Sequence, residues 1–464
     1  PSKPNKDDEG QPVSRILVTG YSNVAVDNIF LGLRLMKVNA LRIRTGESVV
    51  GTLDAKTVPG TIQYELARHQ KVHLAAGLRQ QGKAELARKY EAEAAQELIR
   101  QAEVVCATCV TAGGDMLQRH TFTHVLVDEA TQSTEAATLI PIVRGCHTLV
   151  LIGDQQQLPP TIKSFKAERA GLGTSLFERL VTARFPITML KVQYRMHPAI
   201  AAFPSYYAYN NELKNGISAL DRPSPSGFDW PHRDVPVAFI PVGDPREELE
   251  ATVAGGSKAN FRESRVVAQV VAGLIDQNQF LPEELAVITP YVGQLRQLET
   301  ELKRHQVGKG ELLLNTVDAF QGKECEVVVI STVRSNSEGR VGFLADHRRL
   351  NVAITRARRG LIIIGHEATL RNDKAWNEWL SWARSQGVIC DARQFQSDGL
   401  NAPARRRSGG GGTPHGHLPA GRTHPPAKVP FLKPKMPSLG PEIQPFFAPE
   451  IQPVAQQGLQ GRMP

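Results

Sequence analysis

The chain has 464 residues and a net charge of +9 at pH 7, which is long enough for two or three domains with full cores. No stretch approaches the 18 apolar residues of a transmembrane helix, and the polar amino end lacks the apolar core of a signal peptide. Because the chain starts at Pro1 and not at Met, we expect a fragment or a sequence without its start. The positive charge favours a polyanionic partner. However, eight basic and only three acidic residues lie after residue 396, so an assignment to nucleic acid has to rest on motifs.

The sequence predicts an α/β protein whose elements follow one another in two sets. Residues 1–13 are a polar lead-in, and residues 14–184 form the first set, with a surface insertion of two helices at about 61–100. This set also contains short apolar runs, which are typical of buried parallel strands, and two further predicted helices. The predicted strands are 16–19, 104–107, 125–127 and 149–152, and the helices are 23–35 and 174–181.

Residues 185–394 form the second set. Its predicted strands are 237–240, 285–289, 312–316, 327–331 and 361–365. Residues 215–260 are otherwise irregular and rich in Pro and Gly, and a helical stripe of apolar residues runs from Val266 to Leu274. Trp376, Trp379 and Trp382 fall on one helical face and predict packed core.

The remaining composition predicts a disordered tail and a reducing compartment. Residues 395–464 are rich in Pro, Gly, Gln and Arg and cannot bury enough apolar surface to fold. Cys106 and Cys109 form the single C-x-x-C, without a second pair of zinc ligands, so we expect core cysteines. The expected location is the cytoplasm, with the R-R-R at 405–407 as a nuclear alternative.

Two motifs of the first set carry carboxylates at the ends of predicted strands. D-E-A-T-Q-S begins at Asp128 and Glu129, and G-D-Q-Q-Q-L-P-P contains Asp154 and Gln157. Side chains at the carboxyl ends of parallel strands meet in a ligand crevice. One carboxylate can hold Mg²⁺ while the other positions or deprotonates a water. These motifs therefore predict hydrolysis of a nucleoside triphosphate.

The second set carries arginine-rich motifs. A single arginine is most often part of a surface salt bridge. Together these motifs predict a region that delivers arginines onto a nucleotide held by the first set, because the guanidinium spreads charge over phosphoryl oxygens. The motifs are Q-Y-R-M-H-P (193–198), T-P-Y-V-G-Q (289–294), N-T-V-D-A-F-Q-G-K-E (315–324) and R-R-L-N-V-A-I-T-R-A-R (348–358).

Residues 15–393 resemble the superfamily 1 nucleic-acid helicases of the up-frameshift (regulator of nonsense transcripts) family. Residues 167–180 and 202–216 resemble the nonsense-decay helicases more than senataxin or the immunoglobulin mu-binding helicase. The resemblance implies two RecA-like domains of the P-loop NTPase type, with ATP between them and a single strand across both. It also implies 5′ to 3′ translocation on RNA, surveillance-complex proteins as partners and a monomeric enzyme.

The resemblance also implies roles for individual residues. Asp128 would hold Mg²⁺, Glu129 would activate water and Gln157 would sense the γ-phosphate of ATP. Arg195 and Arg356 would act as arginine fingers. Further residues are expected to bind the nucleotide or to lie on the nucleic-acid track. The residues expected to bind the nucleotide are Tyr194, which would stack on adenine, Gln321, Glu324 and Asp154. The residues expected on the nucleic-acid track are Ser22, Asn23, Thr108, Thr289, Tyr291 and Thr316.

One departure from the family matters most. The phosphate loop G-x-x-x-x-G-K-[ST] should precede the T-G-Y-S-N-V-A-V-D turn at 19–27, and the sequence contains no such loop. The first RecA-like domain is therefore expected to be incomplete, the neighbours of the missing strand are expected to lose a partner, and this chain alone is expected to have little ATPase activity. Tyr21 also stands where proline is usual in the family. Two alternatives remain: a truncated, non-catalytic protein that binds nucleic acid or a partner, and a single-stranded DNA helicase.

Overall fold

The computed structural model describes residues 15–44, 54–276, 280–305, 307 and 312–395. The predicted polar lead-in and nearly all of the predicted disordered tail lie outside these residues. The described residues build two parallel sheets of five strands each. We call residues 15–182 the first lobe and residues 192–395 the second lobe, in both cases for the described residues only.

The first sheet has the order β2-β3-β1-β4-β5, and all of its strands are parallel. Its inner strands are mainly apolar, as in other all-parallel sheets with helices on both faces, and carry polar residues chiefly at their ends. Strand β5 lies at the edge beside β4, and Val150 on it is 42% exposed. The strands are β1 (Ile16–Gly20), β2 (Ala40–Arg42), β3 (Val104–Thr108), β4 (His124–Asp128) and β5 (Thr148–Leu151).

In the first lobe the helix predicted at 23–35 is confirmed, the one predicted at 174–181 spans 176–182, and the helices at 135–142 and 165–167 were not predicted. The two helices predicted at about 61–100 are in fact three, because the chain is extended at His69, whose ring accepts a hydrogen bond from the backbone N–H of Lys71. The ammonium of Lys71 then lies 2.5 Å from Glu97 and fastens the second of these helices to the third. The helices are α1 (Asn23–Leu35), α2 (Ile62–Arg68), α3 (Gln70–Gln80), α4 (Ala84–Gln101), α5 (Glu135–Ile142), α6 (Phe165–Ala167) and α7 (Leu176–Thr182).

The second sheet has the order β12-β11-β13-β14-β8 and is also fully parallel. Outside it, β6 pairs with β7, and β9 with β10 forms a hairpin inside the segment predicted to be irregular. Gly255 and Gly256 make its turn with φ values of 83° and 75°, which suit glycine. The strands are β6 (Val192–Gln193), β7 (Lys214–Asn215), β8 (Val237–Pro241), β9 (Glu250–Thr252), β10 (Lys258–Asn260), β11 (Leu285–Thr289), β12 (Leu313–Thr316), β13 (Cys325–Ser331) and β14 (Ala357–Gly365).

The helices of the second lobe pack on both faces of this sheet, and both predicted apolar stripes are confirmed. Val266, Val270 and Leu274 are buried on α9, and Trp379 on α13 is 0% exposed against the ring of Phe239. The helices are α8 (Pro198–Ala208), α9 (Phe261–Asp276), α10 (Val292–Arg304), α11 (His347–Ile354), α12 (Glu367–Leu370) and α13 (Lys374–Ser385).

Most of the cysteines lie in the protein core. Four of the five cysteines are buried, as predicted for core positions, and Cys146 is partly exposed. Burial raises the pKa of the Cys106 thiol to about 12, so it stays protonated at neutral pH. No helix in the described ranges is both long and apolar enough to cross a lipid bilayer.

We predict that Trp379→Ala lowers the free energy of unfolding by about 3–5 kcal/mol, because it leaves a large cavity between α13 and the second sheet. Urea unfolding followed by circular dichroism measures this loss. Trp382→Ala is the matched control, since Trp382 lies on the same helix but is only partly buried. A loss for Trp379→Ala no larger than for the control would contradict the packing described here.

Candidate active site

Adjacent carboxylates lie at the carboxyl end of strand β4. Asp128 is the last residue of the strand, and Glu129 follows with a left-handed φ of 51°, which is uncommon for a residue with a side chain. Burial raises the pKa of both carboxyl groups, and the Asp128 charge raises that of Glu129 further. Gln132 donates a hydrogen bond from its side-chain amide to the Glu129 carboxylate. Two neighbouring negative charges with little access to solvent favour the binding of a cation.

The residues around these carboxylates fit a magnesium nucleotide in part. Carboxylate oxygens are the ligands that Mg²⁺ takes from proteins, together with phosphate oxygens and water. In the described structure, the buried Thr131 hydroxyl and the Gln321 side-chain amide nitrogen have no hydrogen-bond partner, so they are available to a ligand. The phosphate-loop lysine and hydroxyl that would complete such a site are not in the sequence.

The loop after β5 arranges Gln157. One carboxylate oxygen of Asp154 accepts a hydrogen bond from the backbone N–H of Gln156 at 2.9 Å. The other accepts the Gln157 side-chain amide at 2.9 Å and the Tyr209 hydroxyl at 2.6 Å. Because protein donors occupy this carboxylate, Asp154 orients Gln157 in this structure instead of facing a ligand.

Arg356 reaches the first lobe from the second. Its guanidinium donates to the Gln157 side-chain oxygen at 3.3 Å and to the Val352 carbonyl at 3.0 Å. Burial, together with the charge of Arg195, lowers the pKa of Arg356 to about 10, while the charge of Glu129 acts in the opposite direction. The guanidinium remains charged at neutral pH, and it lies within electrostatic reach of the Glu129 carboxylate.

Arg195 and Glu324 form an ion pair in which both side chains are about a third or more exposed. The Arg195 Nε lies 2.5 Å from the Glu324 carboxylate, and another guanidinium nitrogen donates to the Thr355 carbonyl at 3.1 Å. An exposed ion pair contributes little net stability. It can therefore open at low cost when phosphate oxygens become available to the arginine.

The Tyr194 ring rests on a glycine. Tyr194 is 56% exposed, and a Cβ atom added to Gly216 would come within 2.3 Å of its ring. Gly216 is held in place because its N–H donates to the Gln193 carbonyl at 2.8 Å. Arg222 donates to the Tyr194 carbonyl at 3.2 Å and so fixes the same segment from the other side. The exposed part of the ring offers a flat surface for a nucleobase.

The predicted track residues of the first lobe follow strands β1 and β3 and take part in local structure. Ser22 caps helix α1 by accepting a hydrogen bond from the Ala25 N–H at 3.2 Å. Asn23 accepts a hydrogen bond from Arg42 at 2.9 Å, and Thr108 donates to Thr111 at 2.8 Å. Ser22 and Asn23 are thus held in fixed positions at the start of a helix, where backbone N–H groups favour anions, and Thr108 is held at the end of β3.

In the second lobe, the predicted track residues lie at the ends of β11 and β12. Thr289 is fully buried, and Thr316 accepts a hydrogen bond from the backbone N–H of Ala319 at 3.3 Å. Tyr291 is 5% exposed, and its ring lies 5.5 Å from that of Phe343. The Tyr291 ring is therefore not available for a base to stack on in this structure.

Comparison with known proteins identifies the family. AAA domain families match residues 65–165 and 172–368. The regulator of nonsense transcripts 1 homolog of Neurospora crassa is 38% identical over 79% of this chain and 34% of its own length. The homolog of Drosophila melanogaster is 35% identical over 81% of this chain and 32% of its own length. The ATP-dependent helicase NAM7 of Saccharomyces cerevisiae is 38% identical over 81% of this chain and 39% of its own length.

The chain belongs to the regulator of nonsense transcripts family of superfamily 1 helicases. This confirms the resemblance seen in the sequence motifs and the expectation of two RecA-like domains. The chain spans about a third of the length of the curated relatives that it matches.

Sequence reasoning missed residues that bridge the two lobes or shape the site. Tyr209 binds Asp154, Asn351 binds Tyr209, and Gly216 supports the Tyr194 ring. All three lie in stretches that carry the family resemblance, at 202–216 and 348–358. Their residue types gave no signal, because a tyrosine, an asparagine and a glycine have many structural roles.

We predict that Asp128→Asn stabilises the nucleotide-free chain at pH 7.5 by about 1 kcal/mol, because it removes a charge that burial disfavours. The folded-state pKa of Asp128 is raised, so the wild-type penalty is present at neutral pH. It should shrink as pH falls through that pKa. Urea unfolding in EDTA measures the difference, with the exposed Glu299→Gln as control. A variant less stable than the wild type would contradict this account.

We predict that Gly216→Ala displaces the Tyr194 ring and weakens binding of a fluorescent ATP analogue to the native protein by about tenfold, the equivalent of one lost aromatic stack. Gly77→Ala is the matched control, since an added Cβ there meets no atom within 4 Å. Equal affinities for both variants would show that the position of Tyr194 does not matter for the nucleotide.

Proposed function

We propose that this chain is the motor region of an ATP-dependent RNA helicase that moves 5′ to 3′ along single-stranded RNA in RNA surveillance. The observation that carries the proposal is the contact of Arg356 in the second lobe with Gln157 in the first, beside Asp128 and Glu129. An arginine that crosses between two RecA-like lobes to a carboxylate site is suited to phosphoryl transfer. Curated relatives are named as ATP-dependent helicases and as regulators of nonsense transcripts.

The site residues divide the chemistry between them. Glu129, with its raised pKa, accepts a proton from the attacking water, and Gln157 orients that water or the terminal phosphate. Arg356 and, after its ion pair opens, Arg195 stabilise the charge that develops on the transferred phosphoryl group. Mg²⁺, held through Asp128, would neutralise phosphate charge when the nucleotide is bound. Tyr194 would hold the base.

The substrate track and the wider setting belong to the same proposal. The single strand would lie along the carboxyl ends of both sheets, at Ser22, Asn23 and Thr108 in the first lobe and near Thr316 in the second. The proposal keeps the domain limits 14–184 and 185–394, which the presence of two separate sheets supports. Surveillance proteins as partners remain a prediction from the family. A monomeric state also remains a prediction, as does a cytoplasmic location, which is inferred from the lack of targeting signals in the sequence.

A second candidate function is a non-catalytic protein that binds nucleic acid or a partner. It is favoured by one observation, the lack of a phosphate loop in the sequence. This candidate predicts that the native protein binds no nucleotide. The helicase proposal predicts that the native protein binds ATP with a phosphate loop that this sequence does not show.

We predict that the chain with this sequence hydrolyses ATP at background rate in the presence of single-stranded RNA. The native protein, purified from its source with an intact mass above 50.9 kDa, should show RNA-stimulated hydrolysis that falls at least about a hundredfold in Glu129→Gln. The control is Glu299→Gln, an exposed carboxylate on α10. Colorimetric phosphate release measures both.

The outcomes separate the candidates. A native mass near 50.9 kDa with no bound nucleotide supports the non-catalytic protein. RNA-stimulated turnover by this chain, abolished in Glu129→Gln, overturns the expected deficiency but supports the enzyme. Unwinding of matched RNA and DNA duplexes with 5′ tails decides between the two nucleic acids, because only the 2′-hydroxyl distinguishes them at a given contact.

A further inference from the structure

The loop from Asp154 to Gln157, which we call the sensor loop, belongs to the first lobe but is held by the second. The backbone carbonyl of Gln156 accepts the Asn351 side-chain amide at 2.9 Å. Gln157 accepts Arg356, and Asp154 accepts the Tyr209 hydroxyl. Three residues from two stretches of the second lobe therefore contact three of the four residues of this loop.

Tyr209 is the centre of this arrangement. It follows helix α8, donates its hydroxyl to Asp154 at 2.6 Å and accepts the Asn351 amide at 2.9 Å. Burial and the Asp154 charge raise the pKa of the Tyr209 hydroxyl, so it keeps its proton and can only donate to the carboxylate. The bonds run from amide to hydroxyl to carboxylate and strengthen one another.

The carboxylate oxygen that Tyr209 binds is also the one that binds Gln157. The Gln157 amide donates to it at 2.9 Å, which leaves the Gln157 side-chain oxygen turned toward Arg356. The rotamer of Gln157 thus depends on a carboxylate whose own position depends on a residue of the other lobe.

An apolar contact holds the end of the same loop. Leu158, the next residue, is 4% exposed and belongs to the core cluster of the second lobe with Met196 and Ile200. If the lobes moved apart, Leu158 would leave that core and the hydrogen bond between Tyr209 and Asp154 would break at the same time. The position of the sensor loop therefore depends on the position of the second lobe.

We propose that Tyr209 is a positioning residue that couples the location of the second lobe to Gln157 through the Asp154 carboxylate. Its role in turnover rests on the proposed ATP-dependent function, whereas its effect on the sensor loop does not. When the lobes are close, Tyr209 fixes Asp154 and hence Gln157 in the orientation needed for the terminal phosphate. When they are apart, Gln157 is released and hydrolysis is disfavoured.

The first test is hydrogen exchange of the nucleotide-free chain, followed by mass spectrometry of the peptide that contains the sensor loop. Tyr209→Phe removes only the hydroxyl, and we expect exchange in this peptide to rise by about tenfold, as for one lost hydrogen bond to a charged group. Tyr206→Phe is the control, since Tyr206 lies in the last turn of helix α8, three residues before Tyr209, and is 53% exposed. Unchanged exchange in Tyr209→Phe would overturn the proposal.

A double-variant comparison tests whether the effect passes through Asp154. Asp154→Asn should raise exchange in the loop by itself, and the double variant with Tyr209→Phe should add little more, because residues in one network are not additive. Independent, additive effects would show that Tyr209 acts on the loop by another route, and would overturn the proposed path.

The second readout is ATP hydrolysis by the native protein. Tyr209→Phe should lower kcat by about tenfold and change KM for ATP less than twofold, since Tyr209 positions Gln157 without touching the nucleotide. A purely structural role predicts no such separation of kcat from KM, and equal effects on both would count against the coupling. If the wild-type protein hydrolyses no ATP, the proposed function fails, while the exchange experiment still decides the role of Tyr209.

Discussion

The buried guanidinium of Arg356 is the interaction on which the rest of the site depends. Its position is set by its own lobe, through the Val352 carbonyl and the Thr355 hydroxyl. The nitrogen Nη2, which donates to that hydroxyl, also donates to Gln157 in the other lobe. A buried arginine without acceptors on both sides would be costly. Arrangements of the two lobes that keep Arg356 buried between them therefore favour an acceptor on the first lobe, whether the Gln157 side-chain oxygen or the oxygens of a phosphate.

The two carboxylates opposite this arginine lower the stability of the folded chain. Asp128 and Glu129 are both desolvated, Glu129 has an uncommon backbone conformation, and each raises the free energy of the folded chain in the absence of a cation. A protein selected for stability alone would have neutral residues here. Strand β4 fixes both carboxylates in spite of this cost, because catalysis needs charges that are oriented before the substrate arrives.

Sequence patterns identified the strands of both sheets except β2, but not the contacts between the two lobes. Strands β11 and β13 contain short runs of apolar residues that are buried when the chain folds, so their positions were predictable from the sequence. The end of one helix and the start of the next at His69 could not be predicted, because no Pro or Gly marks this position. The extended backbone there places Lys71 beside Glu97, which is distant in the sequence. Tyr209 was missed for a similar reason. Its role arises from the approach of two distant segments, and no local pattern records which residues meet across a cleft.

The second lobe contrasts with the sensor loop in how firmly its strand ends are fixed. The Glu263 carboxylate accepts hydrogen bonds from Ser331 at 2.6 Å and from the Val333 N–H at 2.8 Å, and Val333 has a left-handed φ of 72°. Burial raises the pKa of Glu263 to about 7, yet these donors oppose the shift and hold the strained residue in place. All of these partners lie within one lobe, so lobe movement leaves them intact. The sensor loop takes its partners from the other lobe, and lobe movement therefore changes the geometry around Gln157 first.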